Sequence, residues 1–272
     1  MPELPEVETI KRQFERALMG RKVTSVDIGL QKMIRGRADA FARAVSGARF
    51  TGARRKAKLL MLDLSNGYTI LIHLKVSGQL LYMPSETGID KHTHVVFHLD
   101  NGMDLRLRDV RQFGYLKLAH REEATGMPEV RDLGPEALDV SLEQFRTALA
   151  RRRNSKVKAA LMDQRIIAGV GNIYSDEALF CARISPERLV SALDADEEAR
   201  LYRCLRELLN SSIMRRGTSV ALYVDLFGKK GENQHYLKVY GRSGKPCEIC
   251  AGKIKRIKVA GRSAHFCPSC QK

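Results

Sequence analysis

The chain has 272 residues, and 44% of them are hydrophobic, which is enough for one large core or two smaller ones and excludes a wholly disordered protein. Lysine and arginine number 47 against 31 acidic residues, so the formal net charge is +16. This excess favours a polyanionic partner, with nucleic acid ahead of an anionic membrane surface, and leaves a soluble basic protein such as a ribosome-associated factor as the alternative.

The first predicted element is a helix over residues 5–19. Pro5 suits its first turn, and Gly20 can end it. Hydrophobic residues recur along it at three- and four-residue spacing, at Val7, Ile10, Phe14 and Leu18. The residues before it contain no apolar signal-peptide core, and no later stretch has the length of a transmembrane helix. We therefore expect a cytoplasmic protein with no membrane association.

From about residue 22 to residue 118 the pattern changes to that of strands. Two pairs of strands flank turn signals: 58–64 and 68–73 around Asn66-Gly67, and 94–99 and 103–107 around Asp100-Asn101-Gly102. Repeated hairpins of this kind predict a mainly antiparallel β-sandwich.

A break at Pro128, Gly134 and Pro135 predicts a hinge, after which the periodicity becomes helical. Four helices are predicted, at about 141–152, 155–163, 172–182 and 194–214. Between the second and third lies a glycine-marked turn, residues 168–172, of the kind that presents a helix N-terminus to a phosphate. Residues 217–235 look like a loop. We expect three domains, at 1–133, 134–235 and 236–272.

The cysteines divide into two groups. Cys247 and Cys250 form one close pair and Cys267 and Cys270 another, with sixteen residues between the pairs. Two such knuckles on a short hairpin predict a closed four-thiolate site, hence one structural Zn²⁺ per chain. Two disulfides are the alternative, which a reducing compartment disfavours.

The remaining cysteines, Cys181 and Cys204, stand apart on predicted helices. Free cysteine is usually buried, so we expect both to be small core residues.

The stretch between the cysteine pairs is strongly basic. Residues 253–258 read Lys-Ile-Lys-Arg-Ile-Lys, and Gly261-Arg262-Ser263 follows at a turn. A small ribbon loaded with cations suits a finger that binds phosphates. A solvated basic face is the alternative.

The N-terminus combines two carboxylates with two prolines before a helix. If the initiator Met1 is removed, Pro2 becomes a free secondary amine, and an α-amino group with a pKa of about 8 is partly neutral near pH 7. Such an amine can attack a sugar C1′ and form an iminium ion that promotes elimination of phosphates. Glu3 and Glu6 are the candidate acid and the base or structural partner. An ordinary helix start is the alternative.

Several motifs stand in a definite order along the chain: Met1-Pro2-Glu3-Leu4-Pro5-Glu6-Val7-Glu8-Thr9, Arg55-Lys56-Ala57-Lys58, His73-Leu74-Lys75-Val76-Ser77-Gly78, Asp109-Val110-Arg111-Gln112-Phe113-Gly114, Gly169-Val170-Gly171-Asn172-Ile173-Tyr174, and Gly261-Arg262-Ser263 before Cys267-Pro268-Ser269-Cys270-Gln271. Together they resemble formamidopyrimidine-DNA glycosylase, the bacterial base-excision family that acts on oxidised purines. The resemblance covers essentially the whole chain. It implies an α+β fold, in which an N-terminal helix and an antiparallel β-sandwich precede a helix-two-turn-helix domain and a zinc ribbon.

The resemblance also implies roles for the catalytic residues. Pro2 is the nucleophile that forms a Schiff base with C1′ of the damaged nucleotide. Glu3 is the acid that assists opening of the sugar ring and later proton transfers. Glu6 supports the N-terminus and the bound base. Lys58 contacts the phosphate beside the lesion, although a plain sheet-edge lysine is the bland alternative.

Further residues are implied to bind DNA. His73, Asn172 and Arg262 fall on positions that hold phosphates, with Arg262 as the finger of the ribbon and Asn172 as the helix-two-turn-helix contact. Arg111 and Phe113 match the pair that enters the space left by a flipped nucleotide. For Phe113 an ordinary core aromatic, and for His73 a satisfied sheet histidine, are the alternatives.

The sequence departs from the family at four positions near these residues. Val76 stands where a methionine commonly fills the vacated space, and valine is shorter and stiffer. Lys75 stands where the family often has glycine or arginine. Gln112 stands where a second basic residue is usual, and Leu59 where an aromatic residue is frequent. These departures bear on lesion search, opposite-base preference and turnover rather than on the reaction.

The expected activity is removal of oxidised purines from double-stranded DNA, followed by cutting of the strand by β,δ-elimination at the resulting or existing abasic site. The loop 218–234 corresponds to the segment that caps an everted purine. Two alternatives stay open: an endonuclease VIII-type enzyme for oxidised pyrimidines, and a non-catalytic zinc-ribbon DNA-binding protein. We expect a monomer.

Overall fold

The structure is a computed structural model that describes residues 1–272. By its internal packing the chain divides into two compact units. The first unit comprises Met1–Arg131 and Arg215–Gln234, and the second comprises Asp132–Met214 and His235–Lys272. None of the helices combines the length and the apolar character needed to cross a membrane.

The first unit contains three helices and eight strands. In chain order they are α1 Leu4–Ala17, β1 Val23–Ile28, α2 Ala38–Val45, β2 Phe50–Lys56, β3 Leu59–Leu64, β4 Tyr68–His73, β5 Gly78–Pro84, β6 Thr93–Leu99, β7 Met103–Asp109, β8 Tyr115–His120 and α3 Pro128–Arg131.

Eight antiparallel strands form two sheets, one in the order β1-β6-β7-β5 and the other in the order β2-β3-β4-β8. Apolar side chains from both sheets enter one core, which confirms the predicted β-sandwich. Both predicted hairpins are confirmed, β3–β4 and β6–β7, and their turn glycines Gly67 and Gly102 have φ of 84° and 73°. A side chain would strain the backbone at these two positions.

The predicted N-terminal helix is confirmed as α1. Its apolar stripe packs on β2, where the rings of Phe14 and Phe50 meet edge to face with centroids 4.9 Å apart. The short helix α2 was not predicted. Its contribution to the core comes from only two buried residues, Phe41 and Val45, which is too few to stand out among strands.

The second unit contains four helices and a two-stranded hairpin. They are α4 Leu142–Ala150, α5 Val157–Met162, α6 Asn172–Cys181, α7 Ala195–Met214, β9 Lys255–Val259 and β10 Arg262–Phe266. All four helices and the hairpin were predicted. Helix α4 begins with a capping box, in which Ser141 and Gln144 exchange backbone-to-side-chain hydrogen bonds of 3.0 and 3.2 Å.

Cys181 and Cys204 were both expected to be small core residues; Cys204 is buried as expected, whereas the expectation for Cys181 was wrong. Their sulfur atoms form a disulfide between the end of α6 and the middle of α7, and Cys181 is exposed rather than buried. The two helices pack side by side and bring the Cα atoms to 5.8 Å, within the range that a disulfide spans. That distance depends on tertiary packing, so two cysteines 23 residues apart gave no sign of it.

The loop that follows α7 also differs from its expected place. Residues 218–234 were expected in the helical domain, whereas residues 215–234 pack in the first unit. Hydrogen bonds to β5 and α1 hold this loop in the first unit. Tyr82 N–H donates to the Leu226 carbonyl over 2.7 Å, and Leu226 N–H donates to Gln13 Oε1 over 2.9 Å.

Candidate active site and metal centre

The start of the chain is buried in the first unit. Pro2 is buried, and Glu3 and Glu6 are exposed by only 2% and 1%. The backbone N–H of Glu3 donates to Glu6 Oε2 over 2.7 Å, so the Glu6 carboxylate lies at the N-terminal end of α1. A backbone donor and the positive end of the helix both stabilise negative charge at this point.

Glu6 also holds the loop after α7. Its Oε1 accepts the backbone N–H of Thr218 over 2.8 Å. The approach is close, because a Cβ at Gly217 would lie 3.0 Å from Glu6 Oε1 and 2.9 Å from the Tyr223 ring. Burial and the neighbouring carboxylates of Glu6 and Asp225 raise the pKa of Tyr223 well above its ordinary value, so the phenol stays neutral. The structure therefore brings the predicted capping loop onto the predicted catalytic carboxylate.

Lys58 lies in the two-residue turn between β2 and β3 rather than at the start of a strand. It is 7% exposed. The next residue, Leu59, pairs with His73 at the end of β4. This register brings the two predicted phosphate contacts, Lys58 and His73, to the same end of the sheet.

His73 is a neutral imidazole in this structure. Burial and the positive charges of Lys75, Lys58 and Arg35 lower its pKa to about 3. Its Nδ1 accepts the backbone N–H of Lys75 over 3.0 Å, so the ring proton resides on Nε2. The side chain can therefore donate one hydrogen bond to an anion without itself carrying charge.

Arg35 extends this basic cluster and was not identified from the sequence. Its guanidinium carbon lies 3.4 Å from the centroid of the Tyr115 ring, with the Lys75 ammonium 5.7 Å from the same centroid. Arg35 also pairs with Glu129 over 3.3 Å. No motif surrounds Arg35, and only the sheet register places Tyr115 beside His73.

Three residues predicted to fill the space left by a flipped nucleotide project from adjacent loops. Val76 follows β4, and Arg111 and Phe113 follow β7. Val76 is 36% exposed and Phe113 53% exposed, so neither is a core residue. The Arg111 guanidinium carbon lies 4.9 Å from the centroid of the Phe113 ring.

A buried carboxylate, Asp109, ties these loops together. It accepts hydrogen bonds from the hydroxyl of Ser77, from Arg111 N–H over 3.2 Å and from Gly114 N–H over 2.7 Å. The loop needs such support because Gln112 adopts a left-handed φ of 57°. Asp109 opens one of the recognised motifs, but the sequence alone gave no role for it.

Asn172 and Arg262 lie close together within the second unit. Asn172 is the first residue of α6, directly after the Gly171 cap. Its amide Nδ2 donates to Ser263 Oγ over 3.2 Å, and Ser263 follows the exposed Arg262 at the start of β10. The hairpin beside them forms an open groove lined by Arg256, Ile257, Lys258, Gly261 and Ser263. Amide and cationic donors therefore share one surface.

Two consecutive acidic residues of α6 fix the hairpin and the segment 238–240 to the helix. Asp176 accepts hydrogen bonds from the Lys158 ammonium and, over 2.9 Å, from the His265 backbone N–H. It also contacts Nδ1 of the His265 ring over 3.0 Å. Glu177 accepts three backbone N–H groups from residues 238–240, at 2.8 to 3.0 Å. Burial raises the pKa of Glu177 in spite of these donors. Neither residue was singled out from the sequence.

The four paired cysteines converge on one point. The Sγ atoms of Cys247, Cys250, Cys267 and Cys270 all lie within 4.8 Å of one another. Two of the Sγ–Sγ distances are 3.5 and 3.9 Å. Zn–S bonds of about 2.3 Å place tetrahedral thiolates roughly 3.8 Å apart. The cluster is a site for a structural metal ion, because all the donors come from the protein and form a closed set.

Family models match three stretches of the chain. They are the formamidopyrimidine-DNA glycosylase N-terminal domain over residues 1–116, the formamidopyrimidine-DNA glycosylase H2TH domain over residues 133–224, and the zinc finger found in FPG and IleRS over residues 244–272.

Individual proteins match over the full length. A formamidopyrimidine-DNA glycosylase of Desulforamulus reducens is 46% identical over 275 residues, which covers 100% of this chain and 99% of the relative. The crystal structure of a Lactococcus lactis FPG mutant in complex with a Fapy-dG containing DNA has a TM-score of 0.94 and 31% identity, with both chains fully covered. A complex of wild-type Lactococcus lactis FPG with DNA containing an oxidised pyrimidine has a TM-score of 0.92, 31% identity and the same coverage.

The fold, the four-cysteine centre and the full-length matches to known proteins together define the class of protein. It is a DNA glycosylase of base-excision repair that carries a metal-binding ribbon. Within that class, the chain belongs to the formamidopyrimidine-DNA glycosylase family. The family resemblance inferred from the motifs is thereby confirmed.

Proposed function

We propose that this chain removes oxidised purines from duplex DNA and then cuts the strand by β,δ-elimination, with Pro2 as nucleophile once Met1 has been removed. The observation that carries the proposal is the burial of two carboxylates beside Pro2, with Glu6 accepting backbone N–H groups on both of its oxygens. A plain helix start would leave such carboxylates in solvent.

The first step is attack of the Pro2 nitrogen on C1′ of the damaged nucleotide. The bond from nitrogen to C1′ forms while the glycosidic bond breaks. The base leaves with the electron pair of that bond and gains a proton, and the Pro2 nitrogen loses the proton that it carried. Opening of the sugar ring at O4′ requires a proton, which Glu3 supplies. The product is an iminium ion between Pro2 and the sugar.

The iminium then drives both cuts. It acidifies the hydrogen on C2′, and loss of that proton expels the 3′-phosphate. Loss of a proton from C4′ then expels the 5′-phosphate, and water hydrolyses the iminium to regenerate the amine. Glu3 carries protons in these steps, and Glu6 holds the N-terminus and the capping loop in place.

Phosphates beside the lesion are bound at the end of the second sheet. Lys58 supplies a charge, whereas the neutral His73 supplies a single N–H. Pinning the backbone on both sides of the lesion offsets the few kcal/mol that base flipping costs. The basic neighbour Arg35 adds positive potential to the same end of the sheet.

The remaining contacts act on the rest of the duplex. Phe113 wedges the base stack, Arg111 pairs with the orphaned base, and Val76 occupies part of the space between them. Asn172 and Arg262 hold further phosphates. Zn²⁺, one per chain, fits the four thiolates and supplies no chemistry to the reaction, because its coordination is closed.

Two observations bear on the substrate. One structural neighbour was solved with Fapy-dG containing DNA, which supports an oxidised purine. Another was solved with DNA containing an oxidised pyrimidine, so excision of oxidised pyrimidines is the second candidate activity. We propose that the protein acts as a cytoplasmic monomer.

Borohydride trapping tests the mechanism. The Met-free protein is incubated with duplexes that contain 8-oxoguanine or thymine glycol, and sodium borohydride reduces any iminium to a stable cross-link. We expect a cross-link with 8-oxoguanine, a strongly reduced one with Pro2→Gly, and strongly reduced base release with Glu3→Gln. Preference for thymine glycol would support the second candidate. Binding without any cross-link would leave a non-catalytic DNA-binding protein.

A further inference from the structure

The turn that carries Lys58 has a disfavoured backbone. Residues Ala57 and Lys58 connect β2 to β3, where Lys56 pairs with Leu59. Ala57 has φ of 54°, in the left-handed region that residues with a Cβ avoid. Contacts from outside the turn must therefore stabilise it.

Arg55 makes such a contact. Its Nη1 donates to the Ala57 carbonyl oxygen over 3.0 Å. That carbonyl belongs to the planar peptide that joins Ala57 to Lys58. The hydrogen bond therefore fixes the orientation of the peptide that leads into Lys58.

Glu8 in turn fixes Arg55. Glu8 Oε2 accepts from Arg55 Nε over 2.9 Å, and the two side chains are only 9% and 7% exposed. Glu8 Oε1 accepts from Arg12 Nε over 2.8 Å. Burial opposes ionisation of Glu8, but the hydrogen bonds from Arg55 and Arg12 outweigh it and hold the pKa of Glu8 below its ordinary value. The guanidinium is thus bound at one side by a carboxylate and at the other by the turn.

From these contacts we propose that Glu8 and Arg55 form a positioning clamp for Lys58. Glu8 belongs to α1, the helix that begins just after Pro2. The clamp links this helix through Arg55 to the turn, and so sets the place of the Lys58 ammonium relative to the nucleophile. This inference rests on the proposed function, which requires Pro2 and Lys58 to act on one nucleotide.

Such a clamp acts on the rate of reaction more than on binding. Most of the contacts to DNA are distributed over other side chains, so a displaced Lys58 changes the affinity little. A displacement of even about 1 Å in a reacting geometry lowers rates substantially. A purely structural role would instead lower stability and leave the rate of the folded fraction unchanged.

The test is single-turnover release of 8-oxoguanine, with the dissociation constant for the same duplex measured in parallel. We expect Arg55→Met to lower the rate about tenfold and to change the dissociation constant by less than about twofold. The matched control is Arg54→Met, which loses a more exposed ion pair with Asp63 on the opposite face of β2. The control should keep the rate of the unaltered protein.

A double variant separates positioning from other effects. If Arg55 acts through Lys58, then Arg55→Met lowers the rate no further in a Lys58→Met background. Glu8→Gln should lower the rate in the same direction as Arg55→Met, and it serves as the test variant if Arg55→Met fails to fold.

Three results would overturn the clamp: equal rates for Arg55→Met and the unaltered protein, equal losses for Arg54→Met and Arg55→Met, or a full additional loss in the Lys58→Met background. Failure of the proposed function looks different. In that case the unaltered protein itself forms no borohydride cross-link, and the clamp proposal is then wrong as well.

Discussion

Both units bury carboxylates on a helix, and the partners of those carboxylates differ. In the first unit, Glu6 accepts backbone N–H groups from Glu3 and Thr218. In the second unit, Asp176 binds the ammonium of Lys158, and both side chains are fully buried. The role of each buried carboxylate therefore depends on its partner. Glu6 holds a loop against the N-terminal end of α1, whereas Asp176 neutralises a buried cation within the second unit.

Removal of the metal should have the largest effect, and it should affect only the second unit. Residues 236–272 are too few to form a core without a metal, and a structural zinc site contributes about 10–16 kcal/mol to folding. We expect chelation or Cys247→Ser to unfold the ribbon and abolish duplex binding, while the first unit keeps its fold. Limited proteolysis and fluorescence anisotropy measure the two outcomes.

The exposed Ser269 lies between two of the thiolates and provides a control, since Ser269→Ala leaves all four in place. Mass spectrometry under non-denaturing conditions should show one zinc per chain. Unchanged duplex binding by metal-free protein would contradict the role given to Arg262.

The Asp176 ion pair should be the next most sensitive point. Asp176→Asn leaves the Lys158 ammonium buried without its charge partner, which costs about 3–5 kcal/mol of unfolding free energy. Denaturant unfolding measures this loss. Lys156→Met is the matched control, because its ion pair with Glu187 is about half exposed and contributes at most about 1 kcal/mol.

Glu6→Gln alters the corresponding buried carboxylate of the first unit. It keeps one side-chain oxygen for a backbone donor but places an NH2 group against the other donor, so we expect a smaller stability loss of about 1–3 kcal/mol together with a severe loss of base excision. If Asp176→Asn lost no more stability than Lys156→Met, the buried ion pair would not have the stabilising role given to it here.

The smallest expected effect concerns His73 and pH. Because its pKa lies near 3, His73 is neutral from pH 5.5 to 8 in the DNA-free protein. We therefore expect that its proposed contact with phosphate does not titrate in this range. The ratio of dissociation constants between the unaltered protein and His73→Asn should stay within about twofold over this range. A ratio that rises steeply below pH 6.5 would show a charged imidazole.

The same lowered pKa has a consequence for stability. The unfolded chain binds a proton at His73 near pH 6.5, whereas the folded chain does not until about pH 3. The free energy of unfolding therefore keeps its full contribution from the neutral His73 ring above pH 6.5, and this contribution declines as the pH falls towards 3. The 15N shifts of the His73 ring, measured by NMR at pH 5.5, should report the tautomer with hydrogen on Nε2.

Much of the fold was predictable because it depends on local patterns. The asparagine–glycine turn at residues 66–67 and the spacing of Phe14 and Leu18 each report on neighbours within a few positions. The two CxxC pairs predicted the metal centre for the same reason. Helix α2 was missed because a single turn of apolar residues carries too little signal.

The motifs predicted a set of candidate site residues but none of the contacts between them. Pro2, Glu3 and Lys58 were identified from motifs, whereas Asp109 and Arg55 gained a role only when their partners became visible. Arg55 donates to Glu8, 47 residues earlier in the chain, and Glu6 accepts from Thr218, 212 residues later. Contacts between residues so far apart in the chain cannot be recognised from short stretches of sequence.

The order of the elements, the thiolate set and the positive charge follow from the sequence alone, because they depend on residue type and on short spacing. Three other properties became visible only in the folded chain: residues 215–234 join the first unit, Cys181 and Cys204 are bonded, and His73 is neutral. Each of these properties depends on burial and on the distance between remote groups. Both quantities come into existence only when the chain packs.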